Sequence, residues 1–255
     1  MTISVCEDKE QLAQKAADLF LQIAQRAIEE RGRFVAALSG GSTPERTYTL
    51  LAQPERATQL DWNKVYLFFG DERFVPHDDP RSNYHMVKQA MLDALPLPAG
   101  HVLAVRTDLP TPEAAAEHYE QMLLAFFALP DRQTLPRFDL VFLGLGDDCH
   151  TASLFPSAAA LTERKRLVVA TPPGTLPPPV DRITFTFPLI NAARQVVFLV
   201  AGSNKAKTLY RALVERPPIW LCPAVGIRPA DGELLWLVDK EAASLLPPEQ
   251  LNPQR

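Results

Sequence analysis

A chain of 255 residues with 47% hydrophobic and 22% charged side chains has the composition of a folded globular protein and the length for a substantial core. Its formal net charge of -4 excludes a general attraction to nucleic acid or to an anionic membrane, so a negatively charged ligand would have to be held by a local cluster of donors. No apolar run reaches the roughly 18 residues of a membrane span, and the start MTISVCEDKEQLAQKAADLF lacks a basic segment followed by an apolar one, so the chain is read as cytoplasmic.

TISVC at the start reads as a short strand. The next segment places Leu12, Ala16, Leu19, Phe20, Ile23 and Ala27 at steps of three and four, which gives a helix with one apolar stripe. The period then changes. FVAAL (Phe34–Leu38), VYLFF (Val65–Phe69) and LVFL (Leu140–Leu143) are apolar on both faces, as strands covered on both sides must be. Helical patterns such as NYHMVKQAML and EAAAEHYEQMLLAFF separate them, and RITFTF (residues 182–187), VVFLV (196–200) and ELLWLV (233–238) are further strand candidates. Alternation of this kind predicts an α/β fold with a mostly parallel sheet, helices on both faces and right-handed crossovers. Proline is plentiful at 24 residues, and much of it collects in TPPGTLPPP and around LPDRQTLP, which read as surface loops within one domain spanning residues 1–255. Three widely spaced cysteines, Cys6, Cys149 and Cys222, form no CxxC pair; that usage suits a reducing compartment, and structural zinc is not expected.

Ligands of an open α/β sheet bind beyond the carboxyl ends of the strands, so the loops after the apolar runs are the places to search. After FVAAL comes SGGSTP. Its glycines allow a tight turn, Thr43 suits a helix N-cap and Pro44 the first helical position, so Ser39, Gly40, Gly41, Ser42 and Thr43 together offer hydroxyls, backbone N–H groups and a helix start to an anion. The motif lacks the lysine of a P-loop, and a plain capped turn is the structural alternative. GDER follows the next strand; Arg73 could grip phosphate or carboxylate through two donors, with Asp71 and Glu72 beside it and Arg81 and Asn83 downstream, unless this is only a solvated turn. After the fifth such run, AGSNKAKTL puts Lys205 and Lys207 where basic groups oppose a helix dipole, which a compensating anion would explain. Arg182 could add one more positive group.

GLGDDCHTASLFP, residues 144–156, follows LVFL. As a dinucleotide fingerprint it is poor, because Asp147 and Asp148 would face the pyrophosphate. A Cys149 nucleophile lacks an evident base, and one histidine with two aspartates lacks the spacing and partners of a metal site. A general base remains: an imidazole with an ordinary pKa near about 6.5 can accept a proton from water at neutral pH. His150 is that candidate, with Asp148 to orient it; a turn histidine with a structural hydrogen bond is the alternative. His77, His85, His101 and His118 are assigned no role.

Taken in order, LSGGSTP, GDERFVP with SNY, GLGDDCHTASLFP, FPLINAARQVVFLVAGSNKA and PADGELLWLVDKEAA resemble the successive motifs of the 6-phosphogluconolactonases over nearly the whole chain. The resemblance implies a Rossmann-like doubly wound fold, shared with sugar-phosphate isomerases and deaminases. It implies hydrolysis of 6-phosphoglucono-δ-lactone to 6-phosphogluconate in the oxidative pentose phosphate pathway, without metal or organic cofactor. The partner would be the small-molecule sugar-phosphate lactone, with no nucleic acid or membrane, and the chain would act as a monomer or weak dimer. Carried over residue by residue, it gives His150 the role of base with Asp148 beside it, and makes substrate contacts of Ser39, Gly40, Gly41, Ser42, Thr43, Asp71, Arg73 and Lys205. Cys149 departs from the pattern, standing where the family motif has glycine; if that backbone needs a positive φ, the side chain there is costly. Two rival readings are a deaminase or isomerase on the same scaffold, for which ASLFPS lacks an expected acid, and a non-catalytic sugar-phosphate sensor, for which no basic DNA-binding segment is present.

Overall fold

Each residue of Phe34–Leu38 is buried, and alternate side chains enter different cores: Val35 and Ala37 join one cluster while Phe34, Ala36 and Leu38 join the other. That double burial places the strand mid-sheet. The computed structural model describes residues 1–130, 134–174 and 179–251. Among these, ten strands occur in chain order: β1 (Thr2–Cys6), β2 (Phe34–Leu38), β3 (Val65–Phe69), β4 (Asp71–Arg73), β5 (Val102–Leu103), β6 (Leu140–Leu143), β7 (Val168–Thr171), β8 (Arg182–Phe185), β9 (Gln195–Val200) and β10 (Glu233–Asp239). Seven of them form a parallel sheet ordered β1-β10-β9-β6-β2-β3-β5, and β4-β8-β7 form a small antiparallel sheet.

The strand order reverses direction between β2 and β6, which pair through Ala36 and Ala37. From β2 the chain steps outward to β3 and β5, whereas from β6 it steps the other way to β9 and β10. Such a reversal opens a crevice at the carboxyl ends of the two strands, because their connections leave on opposite faces. The two segments flanking that crevice are SGGSTP after β2 and GLGDDCH after β6.

Helix α1 (Lys9–Arg31) covers one face. Asp8 caps its start by accepting from the Gln11 N–H at 2.8 Å, and Gly32 ends it at φ 76, a left-handed conformation that glycine adopts without a Cβ penalty. Phe20 on its apolar stripe packs edge-on against Phe34 and stacked against Trp62 and Phe142. The helix Pro112–Phe126 covers the other face, where Phe68, Phe138, Phe185 and Phe198 are buried. The doubly wound, mostly parallel arrangement expected from the alternation is therefore present.

Two local expectations are corrected. RITFTF does not join the parallel sheet: β8 runs antiparallel between β4 and β7, and Phe187 already starts the helix Phe187–Asn191, where Pro188 suits the first turn. Helix α2 (Ser42–Leu51) begins two residues earlier than Thr43 capping would allow, since Gly41 at φ 107 is its N-cap and no side chain caps it. Only glycine meets that φ readily, so backbone geometry outweighs hydroxyl capping here. Parts of two proline-rich loops, residues 131–133 and 175–178, lie outside the described residues.

Candidate active site

An open cavity of about 240 Å³ lies at the crevice, lined by Ser39, Arg73, Gly144, Leu145, Gly146, Asp147, His150, Ala152, Phe155, Arg182 and Lys205. Loops after β2, β3, β6 and β9, more than a hundred residues apart in sequence, thus converge on one rim of the sheet. Of the residues singled out from sequence, His150, Ser39, Arg73, Arg182 and Lys205 line the cavity, while Gly40, Gly41, Ser42, Thr43, Asp71 and Asp148 stand outside that lining.

His150 is held from three sides. Its Nδ1 lies 2.5 Å from Asp148 Oδ1, and the same oxygen accepts its backbone N–H at 3.0 Å. Donation from Nδ1 to the carboxylate fixes the tautomer, leaving Nε2 as the ring nitrogen able to take a proton. The ring leans on Phe155 at 4.8 Å between centroids. Behind it, a Cβ placed on Gly146 would fall 2.1 Å from both Cε1 and Nδ1, so the absence of a side chain at that position makes the seat for the imidazole. Burial by itself would raise the Asp148 carboxyl, but the His150 hydrogen bond and charge and nearby backbone donors outweigh it and hold the acid below its ordinary value. An acid depressed in this way contributes stability above its unfolded value of about 3.9, lost as pH falls through the lower folded value. Asp148→Asn should therefore be less stable than wild type at neutral pH in urea unfolding, with the gap closing below about pH 4.

The turn carrying His150 departs from ordinary backbone. Cys149 at φ 75, Ala152 at φ 47 and Ser157 at φ 61 are all left-handed without being glycine. The cost is about 1–2 kcal/mol each, and clustering of this kind is characteristic of functional loops. At Cys149 the positive φ is the conformation for which the glycine of the family pattern is suited. Thr151 Oγ1 donates to the Gly144 carbonyl and Gly146 N–H to the His150 carbonyl, both at 2.9 Å, closing the turn on itself.

A chain of buried polar contacts links the two segments flanking the crevice. Asn83 packs against Gly40, where a Cβ would lie 1.9 Å from Oδ1, and its Nδ2 donates to the Asp71 carbonyl at 2.9 Å. Asp71 Oδ2 in turn accepts from Ser153 Oγ at 2.6 Å, three residues beyond His150. Asp71 therefore sits one layer behind the cavity and braces the walls. Glu72, buried, accepts the N–H groups of Arg73, Asn83 and Tyr84 and the Ser82 hydroxyl; burial raises its carboxyl despite these donors.

Charge in the cavity is predominantly positive. Arg73 and Arg182 are direct cross-strand partners on β4 and β8, and both line the cavity. The Arg73 Nη1 donates to the Arg81 carbonyl at 2.7 Å, and the Arg182 guanidinium lies 5.8 Å over the Phe155 ring. Burial lowers the Arg182 pKa, with Asp71 opposing that shift and Arg73 adding to it. Lys205 pairs with Asp147 at 2.5 Å, an internal counterion that the sequence reading did not anticipate, while Lys207 is exposed away from the lining. The lysine loop is anchored by the Gly202 N–H on the Asp239 carboxylate.

Cys149 and Cys222 form a disulfide with their Cα atoms 4.8 Å apart, and Cys6 is free and buried. A separation of 73 residues with no shared motif carries no sequence signal of pairing, which is why the cysteines read as unconnected. Among the described residues no group of three or more histidine, cysteine, aspartate or glutamate side chains forms a metal-binding cluster, and no helix is long and apolar enough to cross a membrane.

Residues 7–236 match the family model described as glucosamine-6-phosphate isomerases/6-phosphogluconolactonase. The chain is 42% identical over 245 residues to a 6-phosphogluconolactonase of Nostoc sp., covering 96% of this chain and 98% of that one. Its fold superposes with a TM-score of 0.86 on the 6-phosphogluconolactonase from Trypanosoma cruzi, 32% identical, over 96% of each chain. A monomeric glucosamine-6-phosphate deaminase, 22% identical with a TM-score of 0.80 and covering 96% of this chain and all of that one, shares the fold. A doubly wound sheet with a polar, cation-lined crevice at its switch point defines the class. The chain belongs to the glucosamine-6-phosphate isomerase/6-phosphogluconolactonase family.

Proposed function

We propose that the protein is a lactonase that hydrolyses 6-phosphoglucono-δ-lactone to 6-phosphogluconate in the oxidative pentose phosphate pathway, with His150 as the general base. The observation that carries this reading is the imidazole seated against Asp148 in the same cavity as the Arg73 and Arg182 pair. Like charges directly opposite on paired strands are unfavourable, and a dianionic phosphate bound between them turns that repulsion into attraction. Ser39 and the backbone at Gly40, Gly41, Ser42 and Thr43, at the entry to α2, extend the same anion site. With phosphate at that end, the lactone ring points toward His150. Its Nε2 takes a proton from water as the water attacks the ring carbonyl, and Lys205 with neighbouring N–H donors faces the developing oxyanion. Collapse breaks the ring C–O bond and the ring oxygen leaves as the sugar hydroxyl. The same reading takes residues 1–255 as a single domain that acts as a monomer or weak dimer on a small-molecule partner in the cytoplasm; the small, polar cavity supports the small-molecule partner.

The direct test generates the lactone with glucose-6-phosphate dehydrogenase at mildly acidic pH and compares its disappearance with and without the protein. Acceleration supports the reading; an unchanged rate, or ammonia release from glucosamine 6-phosphate, contradicts it. Arg73→Ala should raise KM by about 10- to 100-fold, as expected when one charge-assisted pair of about 1.5–3 kcal/mol is lost, with kcat changed much less.

A further inference from the structure

We propose that the Cys149–Cys222 bond is a reversible redox site that holds the catalytic turn, so that the oxidised form is the more active one. The inference rests on the reading of His150 as the base, since its effect is exerted through that side chain. Cys149 lies between Asp148 and His150, and it occupies a left-handed φ of 75 that a glycine would adopt without penalty. A cysteine there gains nothing for the backbone, whereas it gains a cross-link to a segment 73 residues away. The Cα separation of 4.8 Å falls within the range that a disulfide spans.

The same two segments are joined by a second contact, the Ala224 N–H donating to the Cys149 carbonyl at 3.2 Å. Both sulfur-bearing side chains are fully buried. When the bond is reduced, two unbonded thiols need more room than a bonded pair, and close-packed surroundings leave the turn or the 218–226 segment to move. A shift of the turn carries His150 with it.

Exchange has an accessible side. Cys222 directly follows Trp220 and Leu221, which are 58% and 44% exposed, so opening of that short segment presents Cys222 first. The reaction balances with a disulfide of the dithiothreitol or dithiol-protein class as oxidant. The Cys222 thiolate attacks that disulfide, forming a mixed disulfide and releasing one thiol. Cys149 then displaces the second thiol, so that two electrons and two protons pass to the partner as the Cys149–Cys222 bond forms.

The test equilibrates the full chain in buffers of varied oxidised-to-reduced dithiothreitol ratio. Samples are quenched in acid, unfolded and alkylated, and the labelled thiols are counted by mass, while lactone hydrolysis is followed in parallel by acid release. The oxidised form should label only at Cys6 and the reduced form at all three cysteines. Turnover should fall at least about fivefold on reduction, given that an ångström of misplacement can cost about 10²-fold, and the two titrations should share one midpoint. Cys222→Ser should lose this redox dependence; Cys149→Gly, which also removes the left-handed side chain, should lose it too and provides a second variant if the first folds poorly. Labelling of all three cysteines at every ratio overturns the proposal, as does a bond that forms without changing turnover. If His150→Ala keeps wild-type turnover while thiol state and activity still titrate together, the base assignment fails and the redox site stands.

Discussion

His150→Ala is expected to lower kcat by about 10²–10⁴-fold, the usual contribution of a positioned general base, while the protein stays folded. The imidazole side chain is 22% exposed and its main partners are Asp148 and the face of Phe155, so little core packing depends on it. The loss should appear in kcat rather than KM, because the arginines that would grip the phosphate lie on β4 and β8. Circular dichroism and a thermal melt alongside the steady-state assay separate the chemical effect from unfolding. A variant with wild-type turnover would remove His150 from the mechanism.

Gly146→Ala is expected to cost nearly as much without touching a polar group. The added Cβ would lie 2.1 Å from two imidazole atoms, and a side chain gives way more easily than backbone. The ring should therefore swing from its seat and lose its bond to Asp148. A displacement of about an ångström predicts a fall in kcat of about 10²-fold with only a modest change in thermal stability. The contrast with a half-buried glycine in the bend before β10 is informative. At Gly232 the obstructing atoms are the backbone carbonyls of Ala193 and Arg194, so the same substitution there should lower stability instead.

The strands most legible in the sequence are those buried at all or nearly all positions. Phe34–Leu38, Val65–Phe69 and Leu140–Leu143 fall where the apolar runs predicted, because a strand covered on both faces must be apolar at successive positions. β4 was not legible, since Asp71, Glu72 and Arg73 carry site and bracing roles in place of an apolar pattern. The site divides the same way. His150 with Asp148 could be read from neighbouring residues, whereas the opposition of Arg73 and Arg182 depends on an antiparallel register that periodicity does not specify. The start of α2 was misplaced because Gly41 supplies a φ of 107 where capping rules favour a hydroxyl at Thr43. Gly146 drew attention only as part of a poor dinucleotide fingerprint; its function is the space it leaves for the ring.

All of these expectations depend on the imidazole and the paired arginines addressing opposite ends of one molecule. A crystal structure with 6-phosphogluconate bound measures that directly. The account predicts the phosphate between Arg73 and Arg182 and the C1 carboxylate within hydrogen-bond reach of His150 Nε2, about 2.6–3.2 Å. A product lying with its phosphate against His150, or with C1 beyond reach of that nitrogen, would contradict it.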